Sequence, residues 1–212
     1  MLERIAPDQL AWFTAWAVAS AEQTDGPPLP AAYDHTIAVL HPGAEPATDD
    51  LTAPFQGPSS AEGHPSDGQK TALDRILLAT TGPGAPACLA SYDADPGSGT
   101  ELLITSTGPG PASPPHDAVS ADGPPLDDIA ERVSGHIAYL LVAGPLQDLV
   151  YSAWEARWDY EQPVTMLWPA DRAWCLSSDP DLPYTVIGCA RPLAERLLAE
   201  PVLRARRMRS GE

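Results

Sequence analysis

The sequence predicts an α+β fold in which helices pack on a mostly antiparallel sheet. Apolar residues make up 43% of the 212-residue chain, which is enough to bury a core. Apolar runs in the last third of the chain are joined by connections too short for crossover helices, so their strands are expected to pair antiparallel. Two stretches rich in proline and glycine, residues 42–67 and 107–125, predict long surface loops within a single domain of residues 1–212.

The first half of the chain predicts two helices and three strands. Apolar residues recur at helical spacing after an acidic capping residue and predict a helix over Asp8–Gln23. Thr36–Leu40 is a short apolar strand candidate, and a second helical pattern covers Gln69–Thr80. Ala87–Tyr92 and Glu101–Ser106 are also strand candidates, and the turn-forming residues between them predict a hairpin.

The second half of the chain supplies most of the expected sheet. A short helix is predicted over Leu126–Val133, a helical turn opens at Pro145, and a last helix covers Pro192–Glu200. Four short apolar segments bounded by turn-forming residues are strand candidates: His136–Ala143, Val164–Trp168, Ala173–Ser178 and Thr185–Ile187.

The chain carries a formal net charge of −17, which disfavours nucleic-acid binding because contact with phosphates requires a basic face. The basic residues are concentrated near the C-terminus, where six of the twelve lie beyond Ala190. Chain ends are usually poorly ordered, so residues 204–212 are interpreted as a flexible basic tail.

Cysteine usage and hydropathy indicate a cytoplasmic protein. The three cysteines, Cys88, Cys175 and Cys189, are odd in number and widely spaced, which does not suggest a disulfide framework. We expect them to be reduced and buried. No apolar run reaches the roughly 18–20 residues that span a bilayer, and the first residues show no signal or transit peptide. We therefore expect no membrane association.

The part of the chain between residues 136 and 203 contains a distinctive motif. It reads Trp168-Pro169-Ala-Asp171-Arg172-Ala-Trp174-Cys175, then Asp179-Pro-Asp181, then Thr185-Val-Ile-Gly188. This motif resembles the C-terminal pattern of a family of uncharacterised actinobacterial proteins, in which we expect Trp-Pro-x-Asp-Arg-x-Trp-Cys, Asp-x-Asp and Thr-x-Val-Gly-Gly. Here Cys189 stands in place of the last glycine. The resemblance implies no known activity.

Two interpretations of the motif are open. As a folding signature, Asp171 and Arg172 form an ion pair in a turn, and Trp168 and Trp174 clamp a hairpin across its strands. As a functional surface, the same rigid aromatic side chains contact a ligand or a partner.

The sequence contains no recognised catalytic motif and implies no cofactor. The alternative to a binding function is a small metal-dependent hydrolase or transferase, in which Asp171, Asp179 and Asp181 hold a divalent metal. The prolines that flank the last two aspartates favour a rigid turn instead. Cys189 follows a glycine at a strand end, where a nucleophile could lie, but a small buried cysteine is the more ordinary interpretation.

The sequence favours a non-catalytic protein-binding module, of an immunity-like or regulatory kind, over an enzyme. A net charge of −17 would steer a basic partner towards it. The chain has six tryptophans and only two phenylalanines, and tryptophan often anchors interfaces. Trp154, Trp158, Asp159 and Tyr160 lie in one acidic stretch and form the predicted partner-contacting site. The expected partner is a basic protein.

Overall fold

A computed structural model describes residues 2–20, 33–44, 65–92, 131–134, 138–155, 165–178 and 182–208 of the chain. Its strands form one eight-stranded antiparallel sheet, and helices pack on both faces of that sheet. This arrangement confirms the predicted α+β class with a mostly antiparallel sheet.

Four helices and one 3₁₀ turn are described, with bounds close to those expected from the helical patterns. They are α1 (Pro7–Ser20), α2 (Asp67–Thr81), α3 (Leu146–Glu155), α4 (Arg191–Ala199) and the 3₁₀ turn Pro201–Leu203. Within the described ranges, no helix combines the length and the hydropathy that crossing a bilayer requires.

Eight strands are described along the chain. They are β1 (His35–Leu40), β2 (Pro86–Tyr92), β3 (Glu131–Ser134), β4 (Ala138–Pro145), β5 (Thr165–Pro169), β6 (Trp174–Ser178), β7 (Tyr184–Cys189) and β8 (Ala205–Arg207). Their order across the sheet is β3-β4-β2-β5-β6-β7-β1-β8. Strands β5, β6 and β7 are consecutive antiparallel neighbours, as the short connections between them predicted.

The predicted hairpin after β2 is wrong. Strand β2 is hydrogen-bonded to β4 along one side and to β5 along the other. Both of its edges are therefore taken, and Glu101–Ser106, which lies outside the described residues, cannot be its ladder partner.

Two further predictions near strand ends need correction. The helix expected over Leu126–Val133 does not extend through its last residues, because Glu131–Ser134 is strand β3, paired with β4. The flexible tail was expected to begin at residue 204, but Ala205–Arg207 pairs with β1 as strand β8. Residues 209–212 lie outside the description.

Alternation along the strands divides the core between the two faces of the sheet. Helices α2, α3 and α4 cover one face, which we call the three-helix face. Its strand residues are Ile37, Val39, Ala87, Leu89, Val142, Leu167, Trp174, Leu176, Ile187 and Cys189. Helix α1 covers part of the opposite face, which we call the α1 face. Its strand residues are Cys88, Ala90, Tyr139, Leu141, Met166, Trp168 and Cys175.

A buried glutamine joins α2 to the far end of the sheet. Ser66 caps α2 through a reciprocal pair of hydrogen bonds with Gln69, which satisfies two backbone amides at the helix start. The side-chain amide of Gln69 also donates to the carbonyl of Leu40 at 2.7 Å and to that of Leu203 at 3.3 Å. The start of α2, the end of β1 and the 3₁₀ turn are thereby held at one point.

The glycine at position 188 has a packing role on the α1 face. The ring of Tyr33 lies directly against the backbone of Gly188, and a Cβ added there would be only 2.8 Å from Cγ of Tyr33. A side chain at this position would overlap the ring. A glycine at this position of the motif therefore has a physical reason in this chain.

We predict that Gly188→Ala lowers the free energy of unfolding by about 1–3 kcal/mol, because the ring must shift away from the strand. Urea denaturation followed by tryptophan fluorescence measures this change. The matched control is Gly84→Ala, where an added Cβ has no neighbour within 4 Å and the expected change is below about 0.5 kcal/mol. Equal effects for the two variants would contradict the packing role.

Candidate functional site

The distinctive motif forms the turn between β5 and β6. The backbone amide of Arg172 donates to the carbonyl of Pro169 at 2.8 Å, and Oδ1 of Asp171 accepts from the amide of Ala173 at 3.0 Å. Arg172 itself has a φ of 58°, in the left-handed region that few non-glycine residues adopt. The turn is therefore closed by backbone bonds and by the Asp171 carboxylate.

Arg172 does not form the predicted ion pair within the turn. Its guanidinium reaches α1, where Nη2 donates to the Asp8 carbonyl at 3.0 Å and lies 3.2 Å from Asp8 Oδ2. Its Nε donates to Oε1 of Gln9 at 3.2 Å. The unusual backbone conformation at this residue thus accompanies a side chain that crosses from the hairpin to the helix.

Gln9 is the centre of this contact and is only 4% exposed. Its Oε1 accepts from Nε1 of Trp168 at 3.1 Å as well as from Arg172. Its Nε2 donates to the carbonyl of Ala170 at 2.9 Å and to the Asp8 carboxylate at 2.8 Å. Both donors and both acceptor positions of the amide are used, so the group is satisfied in full despite its burial.

Aromatic side chains surround the amide. Phe13 stacks on Trp168 with ring centroids 5.5 Å apart and planes 8° from parallel, and Trp12 lies 5.4 Å from the same indole. Tyr139 meets Phe13 edge to face at 5.2 Å. Arg172 lies 5.2 Å above the Trp12 ring, close enough for a cation–π contact. The cluster attaches α1 to strands β4 and β5.

The two tryptophans of the motif do not clamp the hairpin together. Trp168 lies on the α1 face, whereas Trp174 lies on the three-helix face, where its Nε1 donates to Oγ1 of Thr81 at 2.8 Å. Each tryptophan holds a different helix, α1 or α2, against the sheet. The prediction of a cross-strand pair is therefore wrong.

The structure also contains a buried polar chain that the sequence did not reveal. His41 Nε2 is 2.9 Å from Oγ1 of Thr185, which donates to Oγ of Ser178 at 3.2 Å. Histidine and hydroxyl residues in a row suggest a nucleophile and its base, but His41 and Thr185 are both fully buried. The chain therefore links the end of β1 to β7 and β6, and its histidine and threonine are shielded from solvent.

The cysteines are free and buried, as predicted. Burial raises the pKa of Cys88 to about 12 and that of Cys189 to about 11, although nearby Arg207 lowers the latter. Burial also raises the pKa of Cys175 well above its ordinary value. A nucleophilic cysteine requires the thiolate, which these environments disfavour. The geometry thus favours a core role for Cys189.

The aspartates of the metal alternative are only partly described. Asp171 is exposed and uses Oδ1 to close its own turn. Asp179 and Asp181 lie outside the described residues. Among the residues that are described, no group of three histidine, cysteine, aspartate or glutamate side chains is placed to hold a metal.

The predicted partner-contacting residues lie mostly outside the description. Trp154 is in the last turn of α3, and its side chain is not described. Trp158, Asp159 and Tyr160 follow beyond the described end of that helix. The structure instead brings together residues 8, 9, 12, 13, 168 and 172. Only the last two of these were predicted from the sequence as residues of a candidate site.

We predict that Gln9→Leu lowers the free energy of unfolding by about 2–3 kcal/mol, because the buried indole N–H of Trp168 loses its acceptor. Chemical denaturation at neutral pH measures this loss. Asp8→Asn is the control. Its amide oxygen can still accept from Nε2 of Gln9, so the variant removes chiefly the exposed ion pair with Arg172, worth less than about 1 kcal/mol. A loss for Asp8→Asn as large as that for Gln9→Leu would contradict the central role of the amide.

A second prediction concerns the thiols. At pH 8 a disulfide reagent should label the folded protein slowly and label all three cysteines rapidly after denaturation. The raised pKa values contribute stability that is full below pH 9.0, the ordinary pKa of these thiols, and is lost as the pH rises through about 11–12. Rapid labelling of native Cys189 would contradict its assignment to the core.

Comparison with known proteins adds no identification. No protein-family model, no curated protein and no solved structure matches the chain. The resemblance of the motif to uncharacterised actinobacterial proteins accordingly stays a prediction, and the function has to be argued from the residues and charges of the chain itself.

Proposed function

We propose that this chain is a non-catalytic protein-binding module, of an immunity-like or regulatory kind, whose partner is a basic protein. The observation that carries the proposal is the formal net charge of −17 on 212 residues. A charge of this size attracts a basic partner over a distance set by the ionic strength and accelerates its association. It disfavours contact with nucleic acids for the same reason.

The placement of the charge supports a binding role. The described ranges contain 11 acidic and 10 basic residues, so they are close to neutral. The remaining segments contain the other 18 acidic residues and only 2 basic ones. Solubility alone does not require that the negative charge be concentrated in these segments of the sequence. A cationic partner that contacts these segments would meet nearly all of the excess charge.

The described part of the motif supports the same proposal by its use within the fold. Trp168, Arg172 and Trp174 have their side-chain donors engaged by Gln9, Asp8 and Thr81. Such a motif is accounted for by folding alone and needs no substrate to explain it. This favours a folding role for the motif over a surface that contacts a ligand or partner, so the proposed contact site lies elsewhere in the chain.

The contact site within this proposal is the stretch of Trp154, Trp158, Asp159 and Tyr160. Tryptophan and tyrosine supply most of the energetically important contacts at protein interfaces, because they bury a large rigid surface and still offer one hydrogen-bonding group. An adjacent carboxylate provides the charge that a basic partner requires. Trp154, the first residue of the stretch, belongs to the last turn of α3.

We predict that the tagged protein retains a basic protein from lysate of its native host, and that Trp158→Ala and Asp159→Arg each weaken binding of the purified partner at least about tenfold. Calorimetry at low and at high salt measures the affinity. The loss for Asp159→Arg should shrink at high salt because its electrostatic part is screened.

The matched control is Glu195→Arg, which makes the same change in net charge at an exposed position on α4. If the control weakens binding as much as Asp159→Arg, the attraction is non-specific and the contact site is wrong. Recovery of no partner, or full recovery by both variants, would overturn the proposal.

A further inference from the structure

We propose that the edge strand β8, with the arginines beside it, binds an extended acidic segment of another protein as an added antiparallel strand. This surface is basic and is separate in the chain from the acidic stretch that contains Trp158 and Asp159. Its partner is acidic, whereas the partner proposed for that stretch is basic. Strand addition at an exposed edge is a general mode of peptide recognition, in which backbone bonds supply affinity and side chains supply selectivity.

The register of β8 against β1 shows which of its backbone groups point away from β1. Met208 donates its amide to the carbonyl of Thr36 at 2.9 Å, and Ala38 is opposite Arg206. Hydrogen-bonded and non-bonded pairs alternate along an antiparallel ladder, so Arg206 bonds to β1. Ala205 and Arg207 are then the non-bonded positions, and their amides and carbonyls point away from β1. Within the described sheet β8 is the last strand on this side.

The charge around this edge is opposite to that of the chain as a whole. Residues 182–208 contain five arginines and two glutamates. One of these glutamates, Glu200, is already paired with Arg75 of α2. Three of these arginines, Arg204, Arg206 and Arg207, are in β8 or next to it, so positive charge lies along the strand that ends the described sheet. An acidic segment would gain both the ladder bonds and the charge complementarity.

The individual arginines flank both sides of the strand. Arg206 and Arg207 are exposed, and they project to opposite faces because they are consecutive in a strand. Arg207 also contacts Nδ1 of His35 at 2.9 Å, which holds its guanidinium beside β1. Arg204 has a different role. It donates to the carbonyls of His41 and Ala44 and so holds the chain in place where β8 begins.

Charged residues on an edge strand also discourage pairing between identical edges. Two copies of β8 placed side by side would bring four arginines together, so a second copy of this edge is a poor occupant. An acidic strand reverses that repulsion. The same residues thus exclude one partner and favour the other, which is a common way to build specificity.

The test uses a short labelled peptide of alternating glutamate and valine, and a matched peptide with lysine in place of glutamate. We expect the intact protein to bind the glutamate peptide and not the lysine peptide in a fluorescence anisotropy titration at low salt. Arg206→Glu with Arg207→Glu should weaken binding at least about tenfold. Arg4→Glu with Arg132→Glu makes the same change in net charge at the opposite end of the sheet and should leave the affinity within about threefold.

Amide hydrogen exchange distinguishes strand addition from simple attraction. On binding, the amides of Ala205 and Arg207 should become protected, whereas that of Arg206, already bonded to β1, should change little. Binding without this protection, or equal losses in the two double variants, would overturn the proposal. So would dimerisation of the free protein through the same amides, because the occupant would then be a second copy. Asp159→Arg should not affect this binding, so failure of either proposal can be recognised separately.

Discussion

The buried amide of Gln9 is the contact on which the α1 face depends. A polar group taken out of water destabilises the fold unless each of its hydrogen-bonding positions finds a partner. Here one side chain accepts from an indole and a guanidinium and donates to a carbonyl and a carboxylate. These four groups come from α1, from β5 and from the β5–β6 turn. The amide therefore holds the helix against the sheet and also sets its orientation there. Apolar packing by Phe13 stabilises the contact between α1 and the sheet, and the hydrogen bonds of the amide determine the position of α1 along the sheet.

The β5–β6 hairpin belongs to both layers of the core. Its strands alternate, so Trp168 and Trp174 hold helices on opposite faces. A short, motif-rich segment thereby connects α1 to α2 without any direct contact between those helices. This explains in physical terms why aromatic, turn and charged residues are concentrated in so few positions: each face requires its own anchor, and the turn between the anchors must be closed.

The sequence predicted the parts of the fold that periodicity and short connections control. The C-terminal strands β5 to β7 pair as expected, and α2 and α4 lie where helical spacing placed them. Pairing between distant segments was not predictable, because nothing local says that β2 lies between β4 and β5 or that Ala205–Arg207 joins β1. Gln9 was missed for a related reason: a glutamine within an apolar helical stripe becomes meaningful only when its partners, more than 150 residues away, are known. Gly188 was part of the predicted motif, but its neighbour Tyr33 could be identified only in three dimensions.

The position of β1 constrains the order in which this chain can fold as it is synthesised. Strand β1 lies between β7 and β8, so His35–Leu40 finds both of its ladder partners only in segments that are made more than 140 residues later. Contacts with such large sequence separation slow folding, because the loop they close is long. During translation these apolar residues have no ladder, and unpaired apolar strands are prone to associate with other chains. The acidic residues on either side of β1 add like-charge repulsion, which would keep nascent chains apart until β7 and β8 have been made.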